Sequence, residues 1–264
     1  MQFSCGIVTY NSVSSNRFRL LKQTVVSLLT TFPRCVPVYV LDNGSEDESP
    51  TKIRKEFGDG PRIKQRFMRH PDGNHTPGRG RNCLLDWMIR DNDGAADAFV
   101  FSDDDMFWHE DAGEKLDAIY GAPRDPLISI DQDTWDAHVA IVCGYLEPDF
   151  DWATTRCRLE PGGVPVIIRD SVPGAAWTFR VNTTPNWPVV HGIAPAYKAW
   201  RSGGEPPFAE TFGYDHKLCT KLREARLAVA AADLCDHLGR GRSTHGNEPI
   251  TGSSRPLDRK KWRI

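Results

Sequence analysis

Three consecutive carboxylates, Asp103, Asp104 and Asp105, follow directly on a short apolar run at 98–101. Aromatic and β-branched residues suit a buried strand, and the run is long enough for one. Carboxylates leaving such a strand cannot enter the core unpaired, because burying an isolated charge is too costly. They must be solvated, paired with bases, or bound to a cation. A hard divalent ion such as Mg2+ or Mn2+ takes one or two carboxylates and fills its shell with phosphate oxygens and water. In open α/β sheets, ligands bind beyond the C-terminal ends of the strands. Taken alone, the triple acid also reads as a solvated acidic turn. The rest of the chain decides between the two.

The preceding residues alternate in kind. An apolar run at 3–9 ends in Thr9, Tyr10 and Asn11, and a polar loop at 12–16 offers a cap for a following helix. Phe18, Leu21, Val25, Leu28 and Phe32 recur at intervals of three and four, the stripe of an amphipathic helix that Pro33 ends. A strand at 36–41 breaks into Asp42-Asn43-Gly44-Ser45. A helix at 50–57, a strand at 63–68 and a loop rich in Gly, Pro and His follow. That loop closes with Gly78-Arg79-Gly80-Arg81-Asn82, where a helix carrying Leu84, Leu85, Met88 and Ile89 begins. Such alternation predicts an α/β fold, a mostly parallel sheet flanked by helices. All loops that follow strands then share one rim, where Asn11, Asp42, Arg81 and the three aspartates become neighbours. That geometry predicts a nucleotide cleft. Local alternatives stand beside it. Asp42 suits an Asx turn before Gly44, Arg79 and Arg81 suit solvated positions at a helix start, and Thr9 and Asn11 suit plain strand-end caps.

With 264 residues the chain has room for one large α/β domain or two small ones. A formal net charge of −2 excludes a generally basic nucleic-acid coat, although a local basic groove stays open. Positive charge gathers late, in Arg240, Arg242, Arg255, Arg259, Lys260, Lys261 and Arg263. Seven cysteines without metal-ligand spacing predict free thiols in a reducing compartment. The first residues read as a strand and not as a leader peptide, and no run reaches the roughly eighteen apolar residues of a membrane helix. The expectation is a soluble, cytoplasmic protein without membrane insertion.

Thr9-Tyr10-Asn11, Leu41-Asp-Asn-Gly-Ser45, Gly78-Arg-Gly-Arg-Asn-Cys-Leu-Leu85 and Ser102-Asp-Asp-Asp105 together resemble the GT-A-fold glycosyltransferases. The similarity is to the large nucleotide-sugar transferase family that opens with a V-T-Y/F-N strand and a D-N-x-S second strand. The resemblance implies that Thr9, Tyr10 and Asn11 lie near base and ribose and that Asp42 accepts a hydrogen bond from the base. It implies further that Arg81 meets the base or the diphosphate, at a helix start whose N–H groups favour anions. Asp103 and Asp104 would serve the nucleotide and Asp105 a metal, Mn2+ or Mg2+, with the choice between Asp104 and Asp105 left open.

Beyond residue 109 the alternation weakens. A helix at 110–120 and strands at 127–130 and 139–146 precede a stretch at 147–190 rich in Pro, Gly, Trp and Arg, with β-like runs at 164–168 and 177–181. This predicts a smaller β-rich acceptor-side region around the sheet edge. Trp152, Trp177, Trp187 and Trp200 suit either sugar stacking or the core. Asp215 leads a helix with Leu218, Leu222 and Ala225 on its apolar stripe, and an acid there suits a helix cap. Family members place an acid pair at such a helix within a G-x-E-D-x-x-L pattern. Here Tyr214 stands in the first acid's place and Asp215 retains the position resembling the catalytic base, with Glu210 as a weaker substitute. His237, in a segment resembling the family's H-x-G-x-x-x-S, would be a further metal ligand, with His245 and His191 competing. Arg240 and Arg242 would clamp the diphosphate as a lid.

The expected organisation is a single GT-A domain over 1–245, with a nucleotide-sugar-binding half at 1–108, an acceptor-binding half at 109–245 and an irregular basic tail at 246–264. The expected activity is metal-dependent, inverting transfer from a nucleotide-diphosphate sugar, a UDP-sugar, to an acceptor hydroxyl. The acceptor stays open among a glycan, a protein, a small molecule and a modified DNA base. A sugar nucleotidyltransferase would show a Gly-rich, Lys-bearing loop after the first strand, where this chain has Thr-Tyr-Asn-Ser. A degenerate GT-A-like protein that only binds nucleotide is the other alternative.

Overall fold

The computed structural model describes residues 1–32, 37–58, 60–73, 75–92, 96–121, 139–144, 155–172, 174–180, 193–210, 214–224 and 228–238. The first half runs β1 (Phe3–Thr9), α1 (Phe18–Thr31), β2 (Val38–Asp42), α2 (Ser49–Phe57), β3 (Ile63–Phe67), α3 (Pro77–Asn92) and β4 (Ala98–Asp103). There follow β5 (Met106–Trp108), α4 (Ala112–Gly121), β6 (Val139–Cys143), β7 (Thr155–Leu159), β8 (Val166–Arg169), β9 (Ala176–Arg180), α5 (Ile193–Arg201), α6 (Tyr214–Glu224), β10 (Ala228–Ala231) and β11 (Cys235–His237). The strand expected at 127–130 lies outside the described residues.

One nine-stranded sheet carries both halves in the order β3-β2-β1-β4-β9-β6-β10-β8-β7. The strands β3, β2, β1 and β4 are mutually parallel, as the alternation with helices requires. From β1 the chain steps outward to β2 and β3, then returns to place β4 on the other side of β1. That reversal is a topological switch point, where parallel sheets open a crevice beyond the strand ends. It lies between Thr9 and the aspartates. β9 is antiparallel to both β4 and β6, and β8 to both β10 and β7, while β10 is parallel to β6. Seven of the nine strands therefore share one direction. The β-rich second half accordingly extends this sheet through its middle and far edge. It is less of an insertion around the edge than the composition predicts.

Helix α1 buries Leu21, Thr24, Val25, Ser27, Leu28 and Thr31 on one face. The polar loop before it supplies no side-chain cap. Instead the Ser12 carbonyl accepts the N–H groups of Arg17 and Phe18 at 2.7 and 2.8 Å. Phe32 leaves the helical region, as expected of the residue before Pro33. Between sheet and helices, Phe101, Trp177, Phe179 and Phe208 form an aromatic core with centroids 5.5 to 6.2 Å apart. Trp177 is fully buried there, while Trp200 is half-buried on α5 and Trp152 and Trp187 lie outside the described residues. Cys5, Cys83, Cys143, Cys219 and Cys235 form no disulfide with one another.

Candidate active site

Strand β4 extends to Asp103, so the three acids leave the sheet at the switch point and diverge. Asp103 keeps 38% of its side chain open and accepts an N–H from Arg81 at 2.6 Å. Arg81 is 1% exposed and lies 5.6 Å over the Trp177 ring, so a buried charge is held by a carboxylate and an aromatic face. The register sets Val8 against Asp103, which brings the next pair together. Thr9 Oγ1 donates to Asp104 Oδ2 at 2.6 Å, and Arg17 donates to Asp104 Oδ1. Burial pushes the Asp104 carboxyl up to about 7, against the pull of Arg17. Both its oxygens are taken.

Asp105 differs. Its Oδ2 lies 2.9 Å from Arg17 and 2.9 Å from His237 Nε2. Its Oδ1 is buried and has no hydrogen-bond partner among the described residues. Burial alone would raise this carboxyl; the bond from His237 and the charges of His237 and Arg17 outweigh it and hold Asp105 below its ordinary range. The same contact keeps His237 above the ordinary imidazole range, although burial works the other way. His237 arrives through a short two-stranded sheet, in which β11 pairs antiparallel to β5 with His237 opposite Met106. Leu238 N–H to the Asp105 carbonyl, 2.7 Å, closes that ladder.

An orphaned carboxylate oxygen beside an imidazole is a donor set that suits a divalent cation, whose remaining positions phosphate and water fill. No group of three acidic, His or Cys side chains poised for a metal occurs among the described residues. The protein's share of such a site is therefore small. Between Asp104 and Asp105, the unmatched oxygen favours Asp105.

On the other side of Thr9, Asp42 is 1% exposed. Its Oδ1 accepts the N–H groups of Gly44 and Ser45 at 3.1 and 2.8 Å, and its Oδ2 the Ser45 hydroxyl at 2.6 Å. Burial still raises its pKa despite these bonds. Asp42 thus builds an Asx turn, the local alternative its sequence leaves open, and a base could use only what remains of Oδ2. Asn11 is likewise engaged: at φ +48 its N–H reaches Ser45 Oγ at 2.7 Å and its Oδ1 accepts from Glu46 N–H at 2.9 Å. Tyr10 packs against His75 with centroids 5.0 Å apart.

The Gly-Arg-Gly-Arg-Asn stretch forms the opening turns of α3, where the sequence predicts a loop closing onto a helix. A Cβ on Gly78 would sit 2.0 Å from the Ala209 carbonyl oxygen, and on Gly80 2.8 Å from Val8. Asn82 binds the backbone of Phe208 in both directions, at 2.8 and 3.0 Å. The segment before α6 is thereby fixed to the turn that carries Arg81. Asp215 stands in the first turn of α6, though its side chain lies outside the described ones, and Glu210 is exposed. Arg240, Arg242, His191 and His245 lie outside the described residues.

The structure therefore joins Thr9, Asp104, Asp105 and His237 through Arg17, pairs Arg81 with Asp103 alongside them, and sets Tyr10, Asn11 and Asp42 at the ends of the neighbouring strands. Sequence reading overlooks Arg17 and Asn82. Arg17 had a usable signal, since it follows the first strand onto the same rim as the acids. Asn82 had none, because its partner is 126 residues away.

A family model described as glycosyl transferase family 2 matches residues 4–131. No curated protein matches the chain. Among solved structures, the chain is similar to a mannosyltransferase from Pyrobaculum calidifontis in complex with GDP-Man and Mn2+, at TM-score 0.50 and 15% identity, covering 89% of this chain and 56% of that one. It is similar to TarS of S. aureus at TM-score 0.50 and 13% identity, covering 89% and 37%. GalNAc-T7 with UDP, GalNAc and Mn2+ superposes at TM-score 0.52 and 12% identity, covering 89% and 43%. The chain thus spans 37% to 56% of the length of these proteins. No helix among the described residues is long and apolar enough to cross a membrane. The chain has the GT-A fold, and its residues 4–131 match the model of glycosyl transferase family 2.

Proposed function

We propose that the chain transfers a glycosyl group from a nucleoside-diphosphate sugar, UDP-linked, to an acceptor hydroxyl with inversion, in a single domain over 1–245. The observation that carries this reading is the buried, unmatched Oδ1 of Asp105 beside His237 at the switch point. Asp105 and His237 would hold a Mn2+ or Mg2+ ion, which when bound neutralises the charge developing on the departing diphosphate. Arg81 and Asp103 line the nucleotide side, with Tyr10 near the base. Asp104 fixes Thr9 and Arg17. Asp215, led up to by the segment that Asn82 pins, removes the acceptor proton, and Arg240 and Arg242 close over the phosphates.

The test is a panel of UDP- and GDP-sugars with and without Mn2+, with products weighed by mass spectrometry and donor hydrolysis as the acceptor-free readout. Asp105→Ala and Asp215→Asn are expected to lower turnover by about a hundredfold or more, the range of a lost metal ligand or general base. Wild-type rates in both variants would sink the assignment. Tight UDP binding with no turnover on any donor would favour the degenerate, binding-only reading, for which Tyr214 in the first acid's place is the observation.

A further inference from the structure

The acid network holds a cation of its own. Arg17 stands immediately before α1, set there by the Ser12 carbonyl and by Asn16 at φ +59. Its side chain is 17% exposed. A single guanidinium nitrogen binds Asp104 Oδ1 and lies 2.9 Å from Asp105 Oδ2, the oxygen that His237 also contacts. Thr9 anchors Asp104 from β1, so the arginine is held by a carboxylate that is itself held. Arg17 Nε is buried and finds no acceptor among the described residues. The acids therefore leave this guanidinium incompletely matched.

We propose that Arg17 keeps a divalent cation off Asp105 until a nucleoside diphosphate arrives, so that metal and donor bind as one unit. The proposal rests on the reading of the site as a metal-assisted nucleotide-sugar site. A guanidinium cannot shed its proton to relieve repulsion. With Asp105 3% exposed and the Arg17 side chain 17% exposed, screening between the guanidinium and a dication at Asp105 is weak. A diphosphate reverses the balance, since its oxygens supply negative charge to both cations and an acceptor to the unmatched Nε. Among the described residues, Asp105 Oδ1 is the one buried acid oxygen left without a partner, so the ion has a place to bind once the repulsion is offset.

The experiment titrates Mn2+ alone, read by the electron paramagnetic resonance signal of the free ion, into wild type, Arg17→Gln, Arg17→Met, Arg17→Lys and Asp105→Ala. Removing the charge is expected to tighten Mn2+ binding about tenfold or more, and Arg17→Lys, which keeps the charge, to stay within about threefold of wild type. Asp105→Ala is expected to abolish Mn2+ binding. Mn2+ should also raise the melting temperature of the charge-free variants more than that of wild type. Under saturating UDP, wild type and Arg17→Gln should converge to within about threefold. Equal or weaker Mn2+ binding in both charge-free variants, or no Mn2+ binding in any protein, would overturn the proposal. Two charge-free variants guard against one failing to fold. Should UDP not bind at all while the Mn2+ contrast holds, the donor reading falls and the role of Arg17 against the metal stands.

Discussion

Arg81 carries a full charge at 1% exposure, and its environment explains how the fold tolerates it. One face meets the Trp177 ring and one nitrogen meets Asp103. Lysine would keep the charge but lose the planar stack and the fork of donors. Arg81→Lys is therefore expected to cost about 1–3 kcal/mol in urea unfolding, the range for an imperfectly matched buried polar group. A second residue-scale prediction concerns His109, 3.3 Å from Asp236. The bond to Asp236 lifts His109 above the ordinary imidazole range, although burial opposes it. Because the folded pKa is the higher one, this stabilisation is fully present below about pH 6.5 and is lost as pH rises through the folded value. Both side chains are partly open to solvent, at 26% and 55%, so the pair contributes little. Asp236→Asn should lower stability by about 0.5–1 kcal/mol at pH 5.5 and by nothing measurable at pH 9. Unfolding curves at the two pH values decide it. At this scale the acids and Arg81 are legible in the sequence because charge beside a buried strand demands a partner. Which partner each finds is not, and Asp42 shows why: an Asx turn and a base contact ask for the same residue.

The opening of α3 shows how an element acquires its tasks. Gly78 and Gly80 are poor helix formers, which is why the sequence reads as a loop there. In the fold, the helix begins at Pro77 and those glycines let it press against the Ala209 carbonyl and against Val8. Tertiary contact outweighs intrinsic propensity. Gly78→Ala places a methyl into a backbone oxygen that cannot rotate away, so a loss of about 1–3 kcal/mol is expected by thermal or urea unfolding. Asn82→Ala unmatches the Phe208 amide and carbonyl in a buried place and should cost about 1–3 kcal/mol. Hydrogen exchange should then speed up over 207–219 more than over β1 and β4. Unchanged exchange across that segment would show that Asn82 does not hold it. The helix-first-turn acid at 215 and the amphipathic stripe of α1 are legible locally. The pairing of β11 with β5, which delivers His237, is a contact between three-residue strands that no periodicity announces.

Across the molecule, both halves meet on one sheet, and the aromatic core sits where they join. Phe101 comes from β4, Trp177 and Phe179 from β9, and Phe208 from the segment that Asn82 pins. Trp177→Ala would open a large cavity at this junction and is expected to cost about 3–5 kcal/mol, measured as a fall in the unfolding midpoint. Ligand linkage works in the opposite direction. On the proposed reading, UDP and Mn2+ together at a hundredfold over their dissociation constant should raise stability by about 2.7 kcal/mol, and chelation by EDTA should remove most of the gain. The alternation of apolar runs and amphipathic helices over the first hundred residues was enough to determine a parallel α/β sheet and a rim of polar loops, because period and handedness leave few alternatives. The order of β9, β6, β10, β8 and β7 was beyond it, since strands of four or five residues in mixed directions carry no signal of their neighbours. Only the tertiary structure decided that Arg17 enters the acid network, that both Asp104 oxygens are taken while Asp105 keeps one unmatched, and that His237 reaches it. Those outcomes depend on distances across the switch point, and distance in space is what a linear pattern of residues does not encode.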